Sequence, residues 1–427
     1  MPHRVSLRGS AWLVAVSILL MGSLLPAAGC ASGGGGVPSS TPTLPPPTAT
    51  ATPHVPRHAL AWFKQEGSEA AQVWASVDDT AVHQVTHLPA STAECRPDLA
   101  WSPPIFSPNF TKILAALGSA SCTDGWAHGN IQIIDALTGA VTPVPAASEP
   151  ADIRLALRQT GWIDNSRIWW MSATTLYMYK LGTASSTPLG TIGSITPYSF
   201  AEEGVLRGHI LFFSVLTASR PSVAGTFVLK RFDLTTHTVL PGKILLGSNH
   251  ECVPGERGCL LSDASAPGFD AFADGAHVVY QRIAPTAAPD PDHEGVASSE
   301  FFFDTADGGG ASRIASYATA RAMARLQLAP TGRLVAVARA EPVPSVFTAS
   351  VSSPGARGDP DLHFYTPDAR SYAVWAWDSG RTFAAATDVD DFHSAPSLRA
   401  LMTFAVGAAG GTVVVAGGVN PWYSIGS

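Results

Sequence analysis

Few residues in this chain stand at spacings that could do chemistry. The run HECVPGERGC puts His250, Cys252 and Cys259 on one short stretch. Imidazole and thiolates are zinc ligands, but zinc cysteines usually stand about two to four residues apart. Here six residues intervene, so the same two cysteines could equally close a disulfide. A second cluster, PDPDHEG, collects Asp290, Asp292, His293 and Glu294. Carboxylates this close could hold a hard cation such as Ca²⁺. Pro289 and Pro291 hold the stretch extended, which favours a solvated loop. Asp233, Asp304, Asp388, Asp390 and Asp391 would have to converge in space to act as an acid and a base. His128, His209 and His363 lack partners at ligand spacing. The chain has no G-x-S-x-G elbow, no HExxH, no Walker loop and no G-x-G-x-x-G fingerprint. No catalytic residue, metal ligand or cofactor is assigned.

Composition bounds what could position such residues. The 427 residues allow two domains or one large repeat domain. Apolar residues make up 46% of the chain, enough for a substantial core. Charged residues are 14%, below the usual level of about 25%. A net charge of −7 with no basic run argues against nucleic acid as a partner. The 39 glycines and 34 prolines suit a turn-rich β protein.

The start of the chain has three parts. His3, Arg4 and Arg8 give positive charge, residues 11–25 form an apolar run, and Ala27, Ala28 and Gly29 precede Cys30. This is a targeting signal that stays out of the fold. Its apolar run is shorter than the ~20 residues a membrane-spanning helix needs. Residues 27–30 resemble the lipobox of bacterial lipoproteins, with Ala27 where Leu is commoner. That resemblance implies cleavage before Cys30 and lipidation of its thiol. The protein is then expected at the outer face of the cytoplasmic membrane, in the periplasm or at the cell surface. Two or more acyl chains would hold it firmly, at about 0.8 kcal/mol per buried CH₂. Residues 31–56 are almost all Gly, Ser, Thr, Pro and Ala, a composition that stays disordered and serves as a tether. The expected division is 1–29 signal peptide, 30–56 lipidated cysteine and linker, and 57–427 folded body.

Setting Cys30 aside leaves an even set, Cys95, Cys122, Cys252 and Cys259, as an oxidising compartment favours. Proximity favours Cys95–Cys122 and Cys252–Cys259. Chain entropy would make these worth about 3.5 and about 2.5 kcal/mol. Zinc at His250, Cys252 and Cys259 stays open as the alternative.

The body repeats two themes. The first is a large apolar residue, a polar turn and an apolar strand. It reads IFSPNFTKILAAL from Ile105, FADGAHVVYQR from Phe272, LAPTGRLVAVAR from Leu328 and WDSGRTFAAAT from Trp377. Gly275, Gly332 and Gly380 suit turns with positive φ, and Asp274 and Asp378 suit the same turns through their side chains. In the copy at Ile105 the residues Asn109-Phe110-Thr111 are expected to lengthen the turn. The second theme is a hairpin, starting at Val73, Ile131, Leu176, Val228, Glu300 and Leu362, with a weaker copy at Leu401. Four strands recurring every ~40–50 residues mark a β-propeller blade. The expected fold is therefore an all-β propeller of seven four-stranded blades, with six as the alternative. Two β-sandwiches would need a linker mid-chain, and none of clear character is present.

Blades stack face to face, so strand residues should be apolar on both sides. Val278, Val279, Leu334, Val335, Ile133 and Ile134 fit that role. Trp62, Trp101, Trp162, Trp375 and Trp377 are expected to pack between blades.

FSPNFTKILAA and LAPTGRLVAVA resemble the TolB-type, WD40-like propeller repeats of exported bacterial proteins. Thr331 stands in the second where the family carries an acidic residue. AWDSGRTF resembles the Asp-box hairpin of sialidase-type propellers, with Ala376 in place of Ser. That box is a structural turn remote from the sialidase site and implies no hydrolysis. The TolB resemblance implies a monomeric, membrane-anchored scaffold for an envelope protein, peptide or glycan, without cofactor. The alternative is a propeller hydrolase or lyase acting on extracellular polysaccharide or peptide.

Overall fold

The structure is a computed structural model of the chain. It describes residues 58–64, 72–78, 81–88, 105–120, 127–145, 160–172, 174–194, 198–218, 225–248, 267–285, 296–317 and 326–328, and the strands that follow to residue 425. Side chains are described only as far as Leu328, and not at every strand position before it. The chain divides into the units Met1–His54 and Val55–Ser427, and every described residue belongs to the second.

The described residues form 29 strands in six open sheets, with no helix among them. The first sheet joins the two ends of the folded chain. It holds β1 (His58–Lys64), β2 (Gln72–Val77), β3 (His83–Gln84) and β29 (Gly418–Ile425), in the order β29-β1-β2-β3. The second is β4 (Ile105–Phe106), β5 (Lys112–Ala120), β6 (Ala127–Asp135) and β7 (Val141–Pro143). The third is β8 (Thr160–Trp162), β9 (Arg167–Met171), β10 (Thr175–Lys180) and β11 (Thr187–Thr191).

A nine-stranded sheet follows, built as two antiparallel halves. The first half is β12 (Tyr198–Arg207), β13 (Ile210–Ala218), β14 (Thr226–Asp233) and β16 (Ile244–Ser248), with β15 (Thr238–Val239) beside β14. The second is β17 (Phe269–Ala271), β18 (His277–Pro285), β19 (Val296–Thr305) and β20 (Ser312–Tyr317). One parallel bridge, Gly247 to Ile283, joins them. A Cβ at Gly247 would stand 2.1 Å from the Ile283 carbonyl oxygen, and its φ is +126°. Only glycine permits so close an approach.

Two further sheets complete the fold. One holds β21 (Leu326–Leu328), β22 (Leu334–Arg339), β23 (Ser345–Ser350) and β24 (His363–Tyr365). The other holds β25 (Ser371–Asp378), β26 (Thr382–Thr387), β27 (Ala400–Ala405) and β28 (Gly411–Ala416).

Strand side chains alternate between faces, and here both faces are apolar. Ile113 and Ile134 pack with Ala61, Phe63 and Val73 of the first sheet. Their neighbours Leu114 and Ile133 pack with Ile168, Trp170 and Tyr177 of the third. Trp169 turns the other way, onto Leu211, Phe213 and Phe232. Phe212 in turn joins Phe269, Val278 and Tyr280. Each such side chain removed from water stabilises by roughly 1.5–3 kcal/mol. The first four sheets are therefore stacked, each sealed by the next, in the manner of a propeller.

Short contacts link the leading strands of successive sheets. β12 adjoins β8 and β17, β21 adjoins β17 and β25, and β29 adjoins β25 and β4. The Trp162 indole nitrogen donates to the Ile105 carbonyl at 2.8 Å, tying β8 to β4.

Two expectations change. The stretch at Leu362 is not a hairpin: β24 ends one sheet and β25 begins the next. The turn after Phe106 is not lengthened. Ser107 N bonds Lys112 O and Phe110 N bonds Ser107 O, matching Phe272 N to His277 O and Gly275 N to Phe272 O. Phe110 adopts φ 58° where Gly275 adopts φ 66°, so the turn is the same length with a phenylalanine in the glycine position. Of the tryptophans, Trp162 packs as expected against the cluster that joins the second and third sheets. Trp62 is fully buried, whereas Trp162 is half-buried and holds the bond to β4. Trp101 lies outside the described residues, as do the side chains of Trp375 and Trp377 and those of Leu334 and Val335.

Candidate functional site

Most of the residues singled out for chemistry lie outside the described residues. These are Cys30, Cys95, Cys122, Cys252 and Cys259, then His250, Asp290, Asp292, His293 and Glu294, then Asp388, Asp390 and Asp391. Gly332 and Gly380 lie outside them too, and the side chains of His128, His363 and Asp378 are not described. Among the described residues no three His, Cys, Asp or Glu side chains come together as a metal site would need.

Asp233 and Asp304 are described, and they do not converge. Asp233 ends β14 and Asp304 sits near the end of β19, third strands of separate antiparallel runs. The Asp233 carboxylate accepts the Thr235 amide at 2.7 Å. That bond, helped by the Thr236 amide, outweighs the desolvation that would raise its pKa, and leaves it below the usual value. Asp304 is 1% exposed and accepts the Gly310 amide at 2.8 Å and the Tyr280 hydroxyl at 3.2 Å. Burial, then the Asp304 charge, push the Tyr280 phenol up to about 12. The phenol therefore stays protonated and donates, and it is no nucleophile near neutral pH. Arg282 completes the cluster, with a guanidinium nitrogen 3.1 Å from the Tyr280 oxygen and its carbon 4.4 Å over the Phe302 ring.

The other turn carboxylates behave alike. Asp135 accepts the Thr138 amide and hydroxyl, both at 2.9 Å, and its second oxygen meets Lys112 Nζ at 3.3 Å. These bonds, led by the Thr138 amide, bring its pKa down to about 2. For Asp164, burial pushes the pKa up but the Ser166 amide and Arg167 outweigh it, and the net shift is downward. For Asp274, burial is again outweighed, by His277 at 2.8 Å and the Ala276 amide at 2.8 Å. Each carboxylate is spent on its own turn, the local bonding that makes Asp a turn former.

A backbone bond repeats above these turns. The first amide after each third strand donates to the carbonyl just ahead of, or opening, the second strand. The pairs are Asp78 to His58, Ala136 to Thr111, Leu181 to Ser166, Leu234 to His209 and Ala306 to Ala276, at 2.8–3.0 Å. This bond is the structural signature of the repeat, and it is invisible in side-chain patterns.

The most demanding polar group was not singled out from sequence. Asp270, 3% exposed, lies on the short strand β17. One carboxylate oxygen pairs with Arg207 at the end of β12 and accepts the Ala271 amide at 2.8 Å. The other accepts the Leu328 amide of β21 at 2.7 Å. Arg207 also donates through Nε to the Ala271 carbonyl at 2.8 Å. A single carboxylate thus staples the leading strands of three successive four-stranded runs. The available signal was a lone acid between aromatics in GFDAF, just ahead of a repeat turn. Both oxygens are occupied by donors, so Asp270 holds strands together and offers no free base.

No protein-family model matches the chain, and no curated protein matches it. Among solved structures it is similar to one from a study of two prolyl endopeptidases, at 10% identity and a TM-score of 0.47. That match covers 84% of this chain and 48% of the other, so the chain spans about half the length of that protein. A candidate 6-phosphogluconolactonase from Bacteroides fragilis matches at 10% identity and TM-score 0.47, covering 89% of this chain and 100% of that one. Its counterpart from Bacteroides uniformis matches at 11% identity and TM-score 0.49, covering 87% and 100%.

Proposed function

We propose that the protein is a lipid-anchored, extracytoplasmic, seven-bladed β-propeller that binds or scaffolds an envelope protein, peptide or glycan without catalysing a reaction. The blade count counts the two halves of the nine-stranded sheet separately, which gives seven four-stranded runs. Ring closure rests on the succession of leading strands β29, β4, β8, β12, β17, β21 and β25, and on the pairing of β29 with β1. The export signal, Cys30 and the TolB-like repeats supply the location and the scaffold role.

The observation that carries the non-catalytic reading is the use of the carboxylates. Asp135, Asp164, Asp233, Asp274 and Asp304 serve turns and Asp270 serves a staple. Among the described residues each of the six takes donors from its own turn or staple, whereas hydrolysis by paired carboxylates needs two that converge on one substrate.

The test begins with the protein purified from membranes. Mass spectrometry should show cleavage before Cys30 plus acyl chains. Short-range cross-linking in intact cells should then give discrete adducts, and the purified protein should release no fragments from a panel of polysaccharides and peptides. Turnover of any panel member would overturn the non-catalytic reading, and an unmodified Cys30 would overturn the anchor.

A further inference from the structure

In an antiparallel run the turns alternate between two edges of the sheet. The links from first to second strand and from third to fourth share one edge. These are the tight, Asp-capped turns described above. The amide-to-carbonyl bond that recurs in five of the runs lies on this edge. His58 holds the same place in that bond as Thr111, Ser166, His209 and Ala276. Its amide also donates to the Asp78 carboxylate at 2.8 Å. The chain therefore enters the folded body at the tight-turn edge, pinned to the hairpin that follows β2.

Among the described residues three of the five large apolar side chains left in water stand together on this edge, the other two, Val239 and Leu245, lying on β15 and β16. Leu137 is 94% exposed at the tip of the β6–β7 hairpin, and Val141 opens β7. Val82 is exposed on the hairpin that Asp78 begins. The two hairpins adjoin, because a Cβ at Gly139 would lie 2.1 Å from the Val85 carbonyl oxygen. The nearest lysine, Lys112, is already paired with Asp135 at 3.3 Å. Asp78 and His83 are exposed on the same hairpin, so what this corner offers a partner is an apolar tip with polar groups beside it.

The geometry points to one occupant: the tight-turn edge of the first two sheets rests on the lipid bilayer that holds the anchor, with Leu137, Val141 and Val82 at the headgroup boundary, and the opposite edge faces away. This rests on the lipid-anchor reading. Twenty-seven residues, 31–57, separate Cys30 from His58. That number of residues reaches at most about 90 Å. The tether alone would keep His58 within that reach of the surface, and exposed Leu and Val beside it gain by leaving water.

The full chain, purified with its lipid, is reconstituted on phosphatidylcholine vesicles carrying a nitroxide-labelled phospholipid. A genetically encoded fluorescent residue is placed at Leu137, and separately at Thr174 in the turn between β9 and β10, on the opposite edge. The Leu137 probe should be quenched several-fold more than the Thr174 probe, and the difference should persist in high salt. With the probe at Val82, the double change Leu137→Asp and Val141→Asp should bring quenching down to the Thr174 level while the protein still floats with the vesicles. Equal quenching at both edges in protein that floats overturns the docking and leaves the anchor standing. Protein that does not float, with no acyl mass on Cys30, overturns both.

Discussion

Asp270 and Asp135 do opposite things with the same functional group. Asp270 is buried on a leading strand and is shared among partners distant in sequence, Arg207 and Leu328. Asp135 stands at the surface, its carboxylate one-third exposed, and bonds residues no more than three positions away apart from Lys112 across the strand pair. A carboxylate that closes a local turn replaces bonds that water would otherwise make, and its net worth is modest. One that links separate sheets in a dry interior leaves several donors stranded when it goes. The contrast teaches where this fold keeps its specificity. The sheets pack through interchangeable apolar faces, and the polar staple fixes which edge meets which.

The largest expected effect follows from that. Asp270→Asn keeps the shape but must turn an NH₂ group toward either the Leu328 amide or the Arg207 and Ala271 donors. The loss should be about 3 kcal/mol, as for breaking a buried ion pair, read as a shift in the urea midpoint. Removing Arg207 as well should add less than its separate cost, because the two share one interaction. If Asp270→Asn costs no more than losing a turn carboxylate, the staple is not what aligns these strands.

Asp304 sits between the two extremes, and Tyr280 is the way to probe it. The phenol donates to the buried carboxylate at 3.2 Å. Tyr280→Phe should cost about 1.5 kcal/mol by leaving that oxygen short of a donor. Burial holds the folded phenol's pKa up at about 12, against an ordinary value of 10.0. The folded state therefore holds this proton more tightly than the unfolded state does. Its contribution is complete below pH 10 and is lost as pH rises toward 12. Denaturation midpoints across that range should fall more steeply for the natural protein than for Tyr280→Phe, and parallel slopes would separate the phenol from Asp304.

Much of this architecture was legible in the sequence, and the failures have physical causes. Hairpins such as IQIIDALTGAVTPV announce themselves because alternation and turn chemistry are local. The Leu362 stretch has the same alternation, yet its strands belong to different sheets. Strand signals do not say which strand pairs with which. Phe110 hid a regular turn, because its positive φ is held by the T-shaped contact with Phe106, centroids 5.8 Å apart, rather than by glycine's freedom. Asp233 and Asp304 looked like free acids only because sequence does not display the amides folded back onto them. Asp270 was illegible for the opposite reason. Its partners lie 63 and 58 residues away, and no local pattern encodes them.

The smallest effects belong to the surface turns, and they divide by what replaces the carboxylate. Asp135→Ala removes an acceptor for three donors in one turn and should cost about 1 kcal/mol once solvent screening is allowed for. The Thr138 amide and its companions hold its folded pKa down to about 2, below the ordinary 3.8. The contribution is complete above pH 4 and fades as pH falls toward 2. The gap between Asp135→Ala and the natural protein should therefore close over that acid range. Asp233→Asn is the control. Asparagine keeps a carbonyl oxygen for the Thr235 and Thr236 amides, at 2.7 and 3.4 Å, and tolerates the same turn. No change in melting temperature should be measurable at neutral pH. A clear loss there would mean that the negative charge, and not the acceptor, holds the turn. The local half of the comparison would then have to be rewritten in electrostatic terms.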